Sequence, residues 1–144
     1  MPRLTARIEI DAPREHVFAA AEPVKMPEWT IHVTEVNVTE GDGRSAGTKD
    51  DTIISVTPRK NKLESVWTDY RPGETWARDF TGYLSGEERM TFTEAGGGTK
   101  VEWLYNYKPP FGIVGKIGAL LVMSRVVQNN MESSLDNLKE ALEL

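Results

Sequence analysis

The sequence contains no cysteine, only two histidines and no apolar run long enough to cross a bilayer. Without cysteine, disulfides, thiolate metal sites and cysteine nucleophiles are excluded. His16 and His32 lack the HExxH spacing of a zinc site, so the sequence predicts no metal and no other cofactor. The most apolar run, residues 117–123, is shorter than the ~20 residues that a membrane-spanning helix needs. We therefore expect no transmembrane segment.

An excess of positive charge is also missing. The chain has 17 lysines and arginines against 22 acidic residues, which gives a formal charge of −5. Nucleic acids and anionic membranes need a basic surface, so this balance argues against both as partners. The first residues show no apolar core of signal-peptide length, and we expect a cytoplasmic protein. A length of 144 residues with 39% hydrophobic residues is typical of one domain, covering residues 1–144.

The last third of the chain has helical periodicity. No proline follows Pro109-Pro110, and apolar residues then recur at steps of three and four, as on one stripe of a long helix. Leu121 and Leu135 flank this stripe. Its members are Ile113, Ile117, Leu120, Val127, Met131, Leu138 and Leu142.

The earlier part of the chain alternates in the manner of strands. Residues 4–10 predict a half-buried strand, residues 14–21 a short helix, and residues 24–26 a second helical turn. The turns that follow are short and contain no helical crossover, so we expect an antiparallel sheet in an α+β layer, with the long helix on one face. The six further strands are predicted at residues 31–40, 48–56, 63–70, 75–81, 88–93 and 99–107.

This order of elements, with particular motifs inside it, resembles the START-like superfamily, also called SRPBCC or Bet v 1-like, and within it the polyketide cyclase/dehydrase group. The resemblance covers nearly the whole chain. The matching motifs are IEIDAP at residues 8–13 followed by Val17-Phe18, MPEW at 26–29, YRPGE at 70–74, GGTKV at 97–101, GIVG at 112–115 and LKEAL at 138–142.

The resemblance implies a helix-grip fold, in which a curved seven-stranded antiparallel sheet wraps around the C-terminal helix and two short helices close one end. It also implies that a hydrophobic small molecule is bound in a cavity between the sheet and that helix. The count of strands made from the residues alone, one plus six, agrees with this fold.

Alternation places several aromatic and apolar side chains on shared strand faces. If these faces line the concave side, they form an apolar pocket with a few polar groups, because tyrosine and tryptophan combine apolar area with one hydrogen-bonding tip. The alternative is an ordinary hydrophobic core. The residues that we assign to a ligand site on these strands are Trp76, Phe80, Met90, Trp103 and Tyr105.

Arg78 shares the face of Trp76 and Phe80, which is an unusual position for an arginine. It is either paired with a buried carboxylate, or placed to hold an anionic or carbonyl-bearing ligand, or turned to solvent by a local bulge. Glu88 is the candidate carboxylate across the hairpin. Asp50 is a second candidate only if Thr52 faces inward, and the poor alternation of residues 48–56 leaves open whether Asp50 or Asp51 does so.

Glycines at positions 112, 115 and 118 should make the start of the long helix irregular, because glycine weakens helices. We predict ligand entry there, with Ile117 and Leu121 among the ligand contacts. Close packing of the helix on the sheet is the alternative reading of these glycines.

Three functions remain open at this point. The first is a binding module for a lipid, polyketide or aromatic metabolite, with no assigned reaction. The second is a polyketide aromatase/cyclase or dehydratase in which Arg78, Tyr105 or His32 assists enolisation or loss of water. The third is a co-chaperone-like interaction module. For all three we expect a monomer or a weak homodimer. The alternative to a catalytic role for His32 is a position at the entrance or on the surface.

Overall fold

The structure, a computed structural model, describes residues 2–55, 59–108 and 117–144. A seven-stranded antiparallel sheet has the order β1-β7-β6-β5-β4-β3-β2, so the first strand pairs with the last and the others form a meander. The predicted strand number and the antiparallel arrangement are confirmed. The strands are β1 (Arg3–Ile10), β2 (Val33–Glu40), β3 (Lys49–Ile54), β4 (Asn61–Arg71), β5 (Thr75–Gly82), β6 (Ser85–Ala95) and β7 (Gly98–Lys108).

In two of the hairpins the residues at the turn determine its geometry. The β4–β5 turn places Pro72 and Gly73 at its centre, with Gly73 at a φ of 78° and Glu74 N–H donating to the Arg71 carbonyl. Proline followed by a left-handed glycine is the pattern of a type II turn. The β6–β7 hairpin closes through Gly96 and Gly97, at φ of 57° and 89°, as a two-residue loop with two positive φ values requires.

Three helices complete the fold. The chain between β1 and β2 forms α1 (Arg14–Ala21), a single 3-10 turn (Pro23–Lys25) and α2 (Met26–Trp29). The long helix α3 (Ile117–Leu142) has 26 residues and is therefore about 39 Å long. The part of the predicted helix at residues 111–116 lies outside the described residues, as does the side chain of Ile117.

The C-terminal half of α3 packs into the core. Val127, Met131, Leu135 and Leu138 are all buried, and Leu135, predicted to flank the apolar stripe, lies at its centre with 1% exposure. Ser134 accepts a hydrogen bond from the backbone of Ile31 at 2.9 Å, which ties the helix to the end of α2. The predicted α+β helix-grip fold is confirmed.

Side chains of α3 also occupy the free edge of β1. Gln128 Nε2 donates to the Thr5 carbonyl at 3.0 Å, and Lys139 Nζ donates to the Glu9 carbonyl at 2.7 Å. Just beyond the strand, Asp11 N–H donates to Glu143 Oε2 at 2.7 Å. The helix thus satisfies backbone groups that an edge strand otherwise leaves unpaired. The opposite edge of the sheet is β2, whose pairing with β3 is irregular near both ends.

Candidate functional site

Seven of the nine predicted ligand-site residues lie together on the concave face of the sheet. Alternation along β5, β6 and β7 directs their side chains to the interior, as the sequence predicts. Each is at most 5% exposed: Trp76, Arg78, Phe80, Glu88, Met90, Trp103 and Tyr105.

Arg78 lies at the centre of this face and binds carboxylates on both sides. Its Nε donates to Glu88 Oε2 at 2.8 Å, and its Nη1 donates to Asp50 Oδ2 at 3.0 Å. Nη1 also donates to Thr52 Oγ1 at 2.9 Å, and Nη2 contacts Met26 Sδ at 3.2 Å. Of the three arrangements that the sequence left open, the structure has the buried ion pair. We call Arg78, Asp50 and Glu88 the buried ion triad.

The two carboxylates of the triad are held by further donors. Trp67 Nε1 donates to Asp50 Oδ2 at 2.7 Å, and the Thr52 hydroxyl donates to Asp50 Oδ1 at 2.6 Å. Trp103 Nε1 donates to Glu88 Oε1 at 3.0 Å. Every carboxylate oxygen therefore accepts at least one hydrogen bond, as buried charges require.

The triad explains the orientation of β3, which the sequence left open. Asp50 is 1% exposed and Asp51 is half-buried on the other face, so Asp50, Thr52 and Ile54 point inward. The alternation of β3 is weak as a hydrophobic pattern because two of its three inward positions are polar. They are polar because they bind Arg78.

Aromatic rings form the apolar wall around the triad. Phe80 stacks on Tyr105 with ring centroids 5.2 Å apart, and Tyr107 follows at 5.9 Å from Tyr105. Trp29, at the end of α2, meets Trp103 edge-on at 5.3 Å. Edge-on and offset-stacked pairs of this kind stabilise the packing beyond their buried area.

Three buried side chains near this wall have polar atoms without a hydrogen-bond partner among the described residues. They are Trp29 Nε1, His32 Nδ1 and Ser65 Oγ. Ser65 lies opposite Asp50 on β3 and opposite Phe80 on β5, so it belongs to the same concave face. Such atoms are uncommon in folded proteins, and each calls for a physical reason.

Burial and charge alter the protonation of this interior. Burial, with a further contribution from the positive charge of Arg78, lowers the pKa of His32 from 6.5 to about 4. Burial and the neighbouring Glu88 raise the pKa of Tyr105. Burial alone would lower the pKa of Arg78, but Glu88 and Asp50 outweigh it and the net direction is upward. At neutral pH the interior thus contains an uncharged imidazole, an uncharged phenol and a charged guanidinium.

Comparison with known proteins identifies this architecture. The family model described as polyketide cyclase / dehydrase and lipid transport matches residues 1–143. The chain belongs to this family. The family resemblance seen in the sequence motifs is thereby confirmed. A search of the curated proteins finds no match.

Solved structures with the fold of this cyclase/dehydrase and lipid-transport family cover almost the whole chain. TTHA0849 from Thermus thermophilus is 24% identical, with a TM-score of 0.75 over 99% of this chain and 97% of that one. Ara h 8.0201 is 11% identical, with a TM-score of 0.68 over 99% and 97% of the two chains. The Aha1 dimer from Colwellia psychrerythraea is 16% identical, with a TM-score of 0.65 over 100% and 98%. At these identities the likeness concerns the fold.

Leu121, the eighth predicted site residue, does not lie with the other seven. It is 66% exposed on the N-terminal half of α3, where Val122 and Val126 are 65% and 45% exposed. These side chains line an apolar groove of about 490 Å³, which we call the outer groove. Its described residues are Gly118, Leu121, Val122, Arg125, Val126 and Asn129. The ninth site residue, Ile117, has its side chain outside the described part of the chain.

Sequence reasoning missed several residues of the interior and left open whether His32 lies there. Ser65 and Trp67 follow Leu63 at steps of two along β4, so all three share one face of the strand. This spacing was the available signal for their inward orientation. His32 precedes β2 in a segment without regular structure, so no periodicity indicates that its side chain is only 7% exposed. Met26 and Trp29 reach the interior through α2, whose packing depends on contacts distant in sequence.

Neither a metal site nor a membrane-spanning helix is found in the part of the chain that the structure describes. Within residues 2–55, 59–108 and 117–144, no group of three or more histidine, aspartate or glutamate side chains has a metal-binding arrangement. In the same ranges, no helix is both long and apolar enough to span a bilayer.

Proposed function

We propose that this protein binds a hydrophobic small molecule between the concave face of the sheet and α3. The observation that carries the proposal is the combination of an aromatic wall with buried polar atoms that have no partner among the described residues. A ligand that contacts Phe80 and Tyr105 with its apolar part, and His32 or Ser65 with a polar group, satisfies both. A lipid, a polyketide or an aromatic metabolite has this chemistry.

The unpartnered polar atoms reduce the stability of the folded protein if no ligand binds them. A buried donor or acceptor that lacks a partner costs roughly 1–3 kcal/mol. Ser65 Oγ and His32 Nδ1 belong to residues that are 2% and 7% exposed, so bulk water does not compensate them. A bound molecule with one hydroxyl or carbonyl group offsets this cost, which supports a ligand on this face.

Arg78 has a different role in this proposal from the one that its position in the sequence suggests. Its guanidinium has five N–H donors, and four of them are engaged, by Glu88, Asp50, Thr52 and Met26. We propose that it holds β3, β5 and β6 in register below the ligand. The apolar site residues Trp76, Met90 and Trp103 stay assigned to ligand contact.

The enzymatic alternative uses the same interior. An aromatase/cyclase or dehydratase needs a group that accepts a proton, and His32 is the candidate because its lowered pKa keeps the imidazole unprotonated at neutral pH. Tyr105, with its raised pKa, is the candidate proton donor. For the binding protein and for the enzyme alike, we expect a cytoplasmic monomer or weak homodimer.

Binding of the uncharged fluorophore N-phenyl-1-naphthylamine tests the proposed function. We expect its fluorescence to rise on addition of the protein, and native mass spectrometry of the purified protein to reveal copurified small molecules. Ser65→Leu puts a larger apolar side chain opposite Phe80 and removes the unpartnered hydroxyl, so it should weaken binding of the fluorophore about tenfold.

The control variant, Val122→Ser, alters the outer groove and should leave the affinity unchanged. Near-UV circular dichroism establishes that both variants are folded. Loss of binding in Val122→Ser with retention in Ser65→Leu would move the site to the outer groove. The proposed function would be contradicted if the wild-type protein neither binds the fluorophore nor carries a copurified molecule.

A further inference from the structure

We propose that the interior selects against anions, so that its ligand is an uncharged or positively charged hydrophobic molecule rather than a carboxylate or a phosphate. This inference rests on the proposed function and specifies the chemical class of its ligand. It is carried by the charge balance of the buried ion triad and by the unpartnered polar atoms beside it.

The triad has one more negative group than positive ones. The triad and Thr52 form seven hydrogen-bond contacts. In each contact that includes Asp50 or Glu88, the carboxylate oxygen is the acceptor. An acceptor-only carboxylate is an ionised one. Two carboxylates and one guanidinium then leave a net charge of −1 in the interior.

The surroundings do not offset this charge. Among the buried side chains that the structure describes, Arg78 is the only lysine or arginine. His32 is uncharged at neutral pH, since its pKa is lowered to about 4, and Tyr105 remains a neutral phenol. An arriving anion would therefore meet two carboxylates and a guanidinium of which four of the five N–H donors are already engaged.

The position of Ser65 brings the polar group of a ligand close to the excess charge. Ser65 is paired with Asp50 across β3 and β4, and residues that face each other in antiparallel strands have Cα atoms about 4.5–5.5 Å apart. A ligand group bound to Ser65 Oγ thus lies within a few ångströms of a carboxylate. In a low-dielectric interior, like charges at such distances repel strongly.

Three unbranched ligands with the same number of carbon atoms test the proposal: decanol, decylamine and decanoate, each used to displace N-phenyl-1-naphthylamine at about pH 7.5. Decylammonium and decanoate both lose hydration on burial, so their difference reports the sign of the interior charge. We expect decylamine to bind at least about tenfold more tightly than decanoate, and decanol to bind more tightly than decanoate. Decanoate binding as tightly as decylamine would overturn the proposal.

Asp50→Asn provides the second test. The asparagine can present its oxygen to Trp67 and Arg78, while its amide donates to Thr52 Oγ1 after the hydroxyl has turned. The triad then becomes neutral, and the preference for decylamine over decanoate should fall at least about fivefold. Asp51→Asn is the matched control, because it changes the net charge equally on the neighbouring residue that faces away from the interior, and it should keep the preference.

The outcomes separate the two proposals. If the fluorophore does not bind and no small molecule copurifies, or if none of the three molecules displaces the bound fluorophore, the proposed function fails. If all three bind and the amine–carboxylate ratio is the same in wild type and Asp50→Asn, only the anion selectivity fails. Should Asp50→Asn not fold, the wild-type series still decides the sign of the selectivity.

Discussion

The interior around the buried ion triad and the outer groove on α3 are both apolar, but they differ in the polar groups that they contain. The interior combines aromatic rings with the hydrogen-bonded ion triad and with unpartnered polar atoms of His32 and Ser65. The outer groove exposes Leu121 and Val122 beside Arg125, with no buried ion pair among its described residues. Apolar surface alone therefore does not identify a ligand site, whereas apolar surface around buried polar atoms supports one.

The largest effect on stability should come from removing the cation of the interior. Arg78→Met leaves two buried carboxylates uncompensated, and we expect the free energy of unfolding to fall by about 3–5 kcal/mol in urea titrations. Arg71→Met, which removes an arginine that pairs with Asp69 at the surface, should change the free energy of unfolding far less, because exposed ion pairs contribute little.

A combined variant checks the cause of this loss. Adding Asp50→Asn and Glu88→Gln to Arg78→Met removes the uncompensated charge and should restore part of the stability. If the combined variant is less stable than Arg78→Met alone, the loss is one of packing rather than of charge.

The next largest effect on stability should be the difference between substitutions in the two halves of α3. Leu135→Ala removes a side chain that is 1% exposed, and we expect a loss of about 3 kcal/mol from the lost contacts and the cavity left behind. Val126→Ala, in the outer groove, should change the unfolding free energy by less than about 0.5 kcal/mol. Similar losses in both variants would mean that the outer groove is covered in solution, and measurement of the oligomeric state would then follow.

The smallest of these effects is a pH dependence. The folded protein keeps His32 unprotonated down to about pH 4, whereas the unfolded chain takes up a proton near pH 6.5. Stability present above about pH 6.5 is therefore lost as the pH falls toward 4, by about 2 kcal/mol at about pH 5.

Unfolding measured across this window in two variants isolates the contribution of His32. The curve of His32→Gln should be flatter than that of the wild type, while His16→Gln, on the exposed side of α1, should follow the wild type. Parallel curves for His32→Gln and the wild type would show that His32 titrates normally.

Much of the fold was accessible from the sequence because its determinants are local. Period-two alternation put Arg78 on the face of Trp76 and Phe80 and made its pairing with Glu88 across the hairpin one of three arrangements that the sequence left open. The register of β5 and β6 places the two residues opposite each other. The Pro72-Gly73 and Gly96-Gly97 turns predicted where strands end, because few other residues adopt those dihedral angles. β6 begins at Ser85, three residues before the predicted start at Glu88, because Gly86 is already paired with both neighbouring strands.

The remaining features depend on contacts between distant parts of the chain. Asp50 turns inward because Arg78, 28 residues later, binds it, and no pattern within β3 indicates this. The exposure of Leu121 has a similar origin: periodicity shows that a helix has an apolar stripe but not how far along the helix the sheet covers it. The burial of His32 depends on α2 and on the end of β3, where Ser55 N–H donates to its carbonyl.

The occupation of the β1 edge by Gln128 and Lys139 has a consequence for assembly. A sheet with two open edges can recruit one neighbour on each side and grow into a filament, whereas a sheet with one blocked edge has a single place for strand addition. Copies of this chain that joined along β2 would therefore form a closed pair in which both remaining edges are occupied by α3. In such a pair the helix that contributes to the core would also limit strand-to-strand growth to two copies.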